Sequence, residues 1–215
     1  MLILHGHPLS TFVMKVEMAL YEIGTAFEFE MLNLGDADHR ARFFALWPLG
    51  KMPVLRDEDR GETVPETSVI VEYLETYYPG RVALIPKDPD LAWRARLAEQ
   101  LFDLHVQVPM QKIVGDRIRP LEAKDPFGVA EARAALSRSL DFLEGQMAGR
   151  TWALGEMFSV ADCAAAPALF YADKVAPFEA SHPTLWAYSE RMKARPSFAR
   201  VLREAEPYLH MFPAA

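Results

Sequence analysis

The chain has 215 residues, of which 51% are hydrophobic and 25% are charged. Because these fractions are ordinary for a folded globular protein, they exclude a disordered chain and a collagen-like fibre. The formal net charge is −7, with the acidic excess confined to residues 1–80, which excludes the basic surface typical of a nucleic-acid-binding protein.

Residues 1–80 alternate between strand-like and helix-like patterns. The apolar residues 2–5 predict a short buried strand. Apolar residues then recur every three or four positions from Phe12 to Ile23, which predicts a helix that ends at Gly24. Residues 27–31 alternate with a period of two and predict a second strand.

A hairpin and a further helix complete this first part. After a polar loop, residues 53–65 contain two short strand patterns on either side of a charged turn, which predicts the hairpin. Thr67 or Ser68 is expected to cap a helix that ends at Pro79. The order β-α-β-β-β-α predicts an α/β domain of the thioredoxin-like type over residues 1–80.

The second part contains helical patterns alone. Residues 81–90 contain prolines and acidic turns and predict a linker. The rest of the chain, residues 91–215, predicts an all-helical bundle. Its helices are expected at residues 91–114, 129–147, 160–175 and 183–194.

One helix start has a complete local signal. Ser159 is expected to cap the helix, Asp162 to reach back to the cap, and Phe158 to pack against Cys163. The single cysteine is therefore predicted to be buried and inert rather than nucleophilic. With one cysteine, an internal disulfide framework and a Cys-x-x-Cys metal or redox motif are excluded.

No segment predicts insertion into a membrane or export. No apolar run approaches the roughly 18 residues of a membrane-spanning helix. The N-terminal apolar residues 2–4 lack a preceding charged region and do not form a targeting signal. We therefore expect a cytoplasmic protein with neither a membrane nor a nucleic acid as its partner.

Ser10 is the first candidate for chemistry, because it lies where the first strand has ended and the first helix begins. A thiol with a pKa near 8.5 is mostly protonated at neutral pH, so an enzyme that uses a thiol must stabilise its anion. A hydroxyl donor and the positive end of a helix dipole both do so. On this segment alone, a plain helix cap is the better explanation of Ser10, and Thr11 is an alternative for either role.

Two later segments could hold a peptide ligand. If the Met52–Pro53 bond is cis, the Met52 backbone faces outward as an unused sheet edge that an extended peptide can pair with; a trans turn proline is the alternative. Glu66 and Thr67 open the next helix, whose free N–H groups suit a carboxylate, while the Glu66 side chain suits an ammonium. Taken alone, these residues could be an ordinary helix cap.

In their order and spacing, these segments resemble the glutathione S-transferase family, in its serine-dependent branch of phi, theta and related bacterial classes. The resemblance covers essentially the whole chain. The residues that show it are Gly6-x-Pro8-x-Ser10 with Lys15-Val16, residues 48–55, residues 66–70 and residues 158–162.

The resemblance implies a glutathione site. Ser10 would hydrogen-bond the glutathione sulfur, and the Met52 backbone, set by a cis Pro53, would pair with the cysteinyl part. Glu66 and Thr67 would hold the γ-glutamyl end.

The glycine end of glutathione would bind near Lys51, together with His39 or Arg40 from the preceding loop. This loop departs from the family pattern. Trp47 stands where relatives usually carry Asn, and the segment up to Pro48 is one residue short. Contacts from the loop are therefore expected to differ from those of relatives.

The second substrate would be a small hydrophobic electrophile bound between the domains. Its expected surroundings are Leu9, Phe12 and the long helix at residues 91–114, which also carries His105 and Gln107. On residue type alone, both polar residues are better explained as ordinary helix residues than as catalytic ones. Cysteine-dependent and tyrosine-dependent branches are disfavoured, since no Cys lies near Ser10 and Tyr21 lies late on the first helix.

The resemblance thus implies a homodimeric detoxification enzyme that uses glutathione as co-substrate and no metal. Its thiolate would attack the electrophile by substitution or addition. Two alternatives stay open: a non-catalytic binding or assembly module with this fold, and a specialised glutathione-dependent dehalogenase or isomerase.

Overall fold

The computed structural model describes residues 1–214, and its first part is built on a four-stranded sheet with the order β2-β1-β3-β4. Strand β1 pairs parallel with β2 and antiparallel with β3, and β3 pairs antiparallel with β4. The strands are β1 (Leu2–Gly6), β2 (Glu28–Met31), β3 (Val54–Asp57) and β4 (Glu62–Pro65).

Three helices accompany this sheet: α1 (Thr11–Ile23), α2 (Ala37–Leu46) and α3 (Thr67–Tyr77). The predicted bounds of the first helix are close to those observed, because Gly24 adopts a left-handed φ of 85° and stops it. Helix α2 lies where a polar loop was predicted. Phe43 is its one buried residue, so an apolar period is lacking, and the helix is specified mainly by its cap, where Asp36 accepts a bond from the His39 N–H.

The predicted cap of α3 is wrong. Thr67 is already the first helical residue, and the residue before the helix is Glu66, which makes no side-chain capping bond. The two hydroxyls are used elsewhere: Thr67 Oγ1 accepts a bond from Lys15 Nζ, and Ser68 Oγ donates to Glu99 Oε1. The N-terminus of α3 is left without a side-chain cap as a result.

The second part is helical, and its long first helix contains a π-helical segment at Leu101–Gln107. The predicted helices at residues 160–175 and 183–194 have the observed bounds. The last α-helix was missed, because only Arg195 separates it from the preceding helix. The helices are α4 (Pro89–Gln100), α5 (Val108–Arg117), α6 (Pro126–Met147), α7 (Val160–Val175), α8 (Pro183–Ala194) and α9 (Pro196–Ala205).

The two parts share one hydrophobic core, in which α7 packs against both α1 and α4. Helix α7 is rich in buried alanines, which let neighbouring helices approach it closely. The predicted capping box at its start is confirmed, with Ser159 N–H donating to Asp162 at 2.8 Å. Cys163 is fully buried, and burial raises the pKa of its thiol well above the usual value. Within residues 1–214, no helix is both long and apolar enough to cross a membrane.

Candidate active site

A cavity of about 540 Å³ lies at the N-terminal ends of α1 and α3. It brings together seven of the predicted site residues and adds two others, Gly50 and Gln111. Gln111 comes from α5, far away in the sequence, and no motif pointed to it. The lining residues are Ser10, Phe12, Gly50, Lys51, Met52, Pro53, Glu66, Thr67 and Gln111.

Ser10 is both a helix cap and a cavity residue. Its extended backbone precedes α1, and its Oγ accepts a long bond of 3.4 Å from the Val13 N–H. A hydroxyl that accepts one bond still has its proton to donate. Since Ser10 also lines the cavity, its O–H can be directed at a ligand atom placed at the positive end of the α1 dipole.

Thr11, the alternative to Ser10, is oriented differently. It is buried, and its Oγ1 accepts a hydrogen bond from the Gln107 side-chain amide. It is not among the residues that line the cavity. The geometry therefore favours Ser10 as the hydroxyl that meets a ligand.

The Met52–Pro53 peptide bond is cis, which selects between the two alternatives left open by the sequence. Among the described residues, none forms a hydrogen bond with the Met52 main chain. The loop before it is held by a bond of 2.9 Å from the Gly50 N–H to the Trp47 carbonyl. Gly50 is required there, because its φ is 62° and a Cβ would lie 2.4 Å from the Phe44 ring. The Met52 main chain, which precedes β3, is thus open to pairing with an extended peptide.

Glu66 has a strained backbone at the edge of the cavity. Its φ of 67° makes it the one non-glycine residue with positive φ among residues 1–214. Such a conformation costs on the order of 1–3 kcal/mol and is found mainly at functional sites. The side chain is exposed, and the uncapped N–H groups of α3 lie beside it. This end of the cavity therefore offers a carboxylate for an ammonium group and N–H donors for a carboxylate.

A buried ionic cluster holds α3 in place. Lys15 Nζ, on a side chain that is 1% exposed, donates to Thr67 Oγ1 at 3.1 Å, to Glu99 Oε1 at 2.6 Å and to Asp103 Oδ2 at 2.5 Å. Burial raises the pKa of Asp103, against the opposing effect of the Lys15 ammonium. The cluster connects α1 to α4 and to the π-helical segment directly behind Thr67. Sequence reasoning did not find it.

The structure does not bring His39 to this cavity. Because α2 begins after Asp36, His39 lies in its first turn and faces β2. Its Nδ1 accepts from the Asn33 N–H at 3.3 Å, and its Nε2 lies 3.7 Å from Glu30 Oε1. Arg40 donates instead to the Leu34 carbonyl. Lys51 is therefore the basic side chain, among those described, that lines the cavity.

The residues expected around the electrophile are dispersed. Phe12 lines the cavity, but Leu9 packs against the hydrophobic core. His105 is exposed and lines a separate, more apolar groove of about 640 Å³ between the α4–α5 helix and α6. That groove is larger, yet the polar groups that could bind a peptide are in the cavity at Ser10. Across residues 1–214, no three His, Cys, Asp or Glu side chains are grouped as metal ligands would be.

Comparison with known proteins identifies the family. A model of the glutathione S-transferase N-terminal domain matches residues 4–82, and a model of the C-terminal domain matches residues 126–191. The chain belongs to the glutathione S-transferase family. The family predicted from the sequence is thereby confirmed, as are the enzyme class and the thioredoxin-like domain followed by a helical one.

Relatives of this glutathione S-transferase match over nearly their whole length. YibF, an uncharacterised GST-like protein of Escherichia coli K12, is 33% identical over 91% of this chain and 95% of its own. Glutathione S-transferase PARB of Nicotiana tabacum is 27% identical over 94% of this chain and 97% of its own. A crystal structure from Methylobacillus flagellatus with GSH bound has a TM-score of 0.86, at 27% identity, and covers 94% of this chain and 98% of that one.

Proposed function

We propose that the protein is a serine-dependent glutathione S-transferase that joins the glutathione thiolate to a small hydrophobic electrophile. The proposal rests on one observation. The Ser10 hydroxyl lies at the positive end of α1, in the same cavity as the open Met52 edge and the uncapped start of α3. Glutathione contains the three groups that such a cavity would select: a thiol, an extended peptide and an α-amino-acid head.

In the proposed complex, the Met52 backbone pairs with the cysteinyl residue, while Glu66 and the α3 N–H groups bind the γ-glutamyl ammonium and carboxylate. Lys51 binds the glycine carboxylate. This anchoring places the sulfur at Ser10, whose O–H donates to the thiolate. Each unit by which the thiol pKa falls corresponds to about 1.4 kcal/mol of preference for the anion.

The chemical step uses the sulfur lone pair. It forms a bond to an electrophilic carbon, and either a leaving group departs with its electron pair or the electrons of a double bond move to a neighbouring atom, which takes up a proton. Phe12 and Gln111 are the cavity residues available to contact the electrophile. Because binding fixes the thiolate beside its target, proximity contributes to the rate.

Replacement of Ser10 by alanine tests the proposal. We expect the wild-type protein to bind glutathione in calorimetry and to conjugate it to chlorodinitrobenzene. Ser10→Ala should bind glutathione with similar affinity but lose roughly 10²-fold in kcat/KM near pH 6.5, because one donor to the anion is removed. The pH at half-maximal rate should rise, since the bound thiol loses its stabilising partner.

Ser10→Thr is the matched control, because it keeps both the hydroxyl and the helix cap; it should retain most of the activity. Thermal unfolding of each variant measures the stability lost with the helix cap, about 0.5–2 kcal/mol, separately from the loss of catalysis. If the pH–rate profile of Ser10→Ala is unchanged, the thiolate is stabilised by other groups. Failure of the wild-type protein to bind glutathione would contradict the proposal, and binding without conjugation would indicate a specialised substrate or a binding module.

We further infer a homodimer in which the apolar groove between the α4–α5 helix and α6 is covered by a second copy. Large hydrophobic side chains are exposed along it, including Leu104, Val108 and Phe142. Sedimentation should give twice the chain mass of 24.3 kDa. Phe142→Glu should give monomers, whereas Phe127→Glu, an exposed residue of α6 outside the groove, should not; the reverse pattern would place the interface elsewhere.

A further inference from the structure

A second cavity, of about 320 Å³, lies between α1, β2 and α9. It shares no lining residue with the cavity at Ser10. Its volume falls at the lower end of the roughly 300–1,000 Å³ typical of small-molecule sites. The residues that line it are Pro8, Glu17, Tyr21, Phe27, Phe29, Met31, Arg200, Glu204 and Tyr208.

Glu17 is the unusual group in this cavity. Its side chain projects from the middle of α1 and is 4% exposed, yet its carboxyl has neither a hydrogen bond nor an ion pair with any residue among 1–214. Burial raises the pKa of Glu17 to about 8, an effect that Glu204 reinforces and Arg200 opposes. Because Glu17 lines the cavity, its carboxyl opens onto the space that a ligand would occupy, and a ligand there can pair with it.

The charges around Glu17 show what kind of ligand is missing. Arg200 is the one cation among the described lining residues, and its Nε donates to Glu204 Oε1 at 2.9 Å. Its guanidinium also lies over the Tyr21 ring, 4.1 Å from the centroid. Glu204 accepts a further bond from the Tyr21 hydroxyl at 2.7 Å. Arg200 and Glu204 therefore neutralise each other, and an ionised Glu17 leaves one negative charge unbalanced.

The walls of the cavity favour an organic cation over an inorganic one. Besides Tyr21, their apolar and aromatic residues are Pro8, Phe27, Phe29, Met31 and Tyr208. Hard metal cations require six or more oxygen ligands, which this cavity does not provide. Aromatic rings attract ammonium groups through their quadrupole, and they also bury hydrocarbon.

We propose that this cavity binds a small organic ammonium ion, whose nitrogen pairs with the Glu17 carboxylate and whose hydrocarbon part packs against Phe27 and Phe29. The site is independent of the proposed glutathione reaction. Binding moves one proton from the neutral Glu17 carboxyl to solvent and places the ammonium in its stead. The other charged or titratable groups that face Glu17 are Tyr21 on α1 and Arg200 and Glu204 on α9, with His7 packed against Tyr208 beyond them.

Calorimetry with phenethylammonium chloride tests the proposal on the full-length protein at pH 7. Phenethyl alcohol, which has a similar shape and no charge, is the control ligand and should bind at least about tenfold more weakly, as expected when a charge-assisted bond is lost. Glu17→Gln should weaken phenethylammonium binding by a similar factor. Glu28→Gln removes an exposed acid from β2, outside the cavity, and should leave the affinity unchanged.

Four further measurements, including competition by potassium chloride, make the result decisive. Titration of the wild-type protein in two buffers with different ionisation heats should show release of close to one proton. Saturating glutathione should not displace the ammonium, and glutathione conjugation should be the same in Glu17→Gln as in the wild-type protein. The proposal is overturned if phenethylammonium does not bind, if the alcohol binds equally well, if no proton is released, or if potassium chloride competes as effectively as the amine.

Discussion

Replacement of Lys15 by methionine is expected to destabilise the protein by about 3–5 kcal/mol, the usual effect of removing one partner of a buried ion pair. Methionine fills the space of the lysine stem but leaves Glu99 and Asp103 buried without their cation. Urea unfolding at pH 7 measures the change. The loss of stability should be larger at pH 8 than at pH 5. At the lower pH, protonation of the unpaired buried carboxylates stabilises the folded variant.

An ion pair at the surface, between α3 and α4, provides the control. Arg96 Nε lies 2.7 Å from Glu72 Oε1, and the two side chains are 44% and 50% exposed to solvent. Arg96→Met should therefore change the stability by no more than about 1 kcal/mol. If the two variants lose the same stability, the buried cluster contributes no more than an exposed ion pair does.

The Lys15 cluster should also influence ligand binding, because it holds Thr67 at the start of α3. In Lys15→Met, we expect weaker glutathione binding with little change in the pKa of the bound thiol, since Ser10 is untouched. A triple variant with Glu99→Gln and Asp103→Asn removes the unpaired charges and should recover part of the lost stability. No recovery would mean that packing of the lysine stem, rather than charge, holds this region.

Local signals were enough to predict the elements that position the site. The apolar period of α1, the left-handed Gly24 after it and the capping box of α7 all depend on residues a few positions apart. Ser10 and the Met52–Pro53 turn were predicted as site residues from the order and spacing of several segments, through their resemblance to the family, because each segment alone could have been structural. The position of Gln111 in the cavity was not predictable, because Gln111 lies about a hundred residues from Ser10 and reaches the cavity only through tertiary packing.

The sequence also did not predict that charged residues of α1 are buried. One apolar face predicts a helix that is covered on one side, with charged residues on the other. In the structure, α1 is covered on several sides, by α3, α7 and α9, so Lys15 and Glu17 are both enclosed. Lys15 meets carboxylates from the helical part, whereas Glu17 meets a cavity. The different surroundings of Lys15 and Glu17 follow from tertiary packing alone.

Replacement of Asp162 by alanine is expected to destabilise the protein by at least about 3 kcal/mol. The fully buried carboxylate accepts hydrogen bonds from the Ala153 N–H at 2.8 Å, the Ser159 N–H at 2.8 Å and the Tyr188 hydroxyl at 2.6 Å. Alanine leaves all three donors unpaired in the core, and each unsatisfied group costs about 1–3 kcal/mol.

Asp125 offers a matched control, because it caps α6 through the Gly128 N–H but lies near the surface. Asp125→Ala should cost about 0.5–2 kcal/mol, the range for a helix cap. Urea unfolding of both variants compares a partly exposed cap, which also pairs with Lys112, with a buried cap that also joins the 153–162 loop to α8. Since typical domains have about 5–15 kcal/mol of stability in total, Asp162→Ala should also yield much less folded protein at 37 °C. Equal losses in the two variants would show that the contacts to Ala153 and Tyr188 add nothing to the cap.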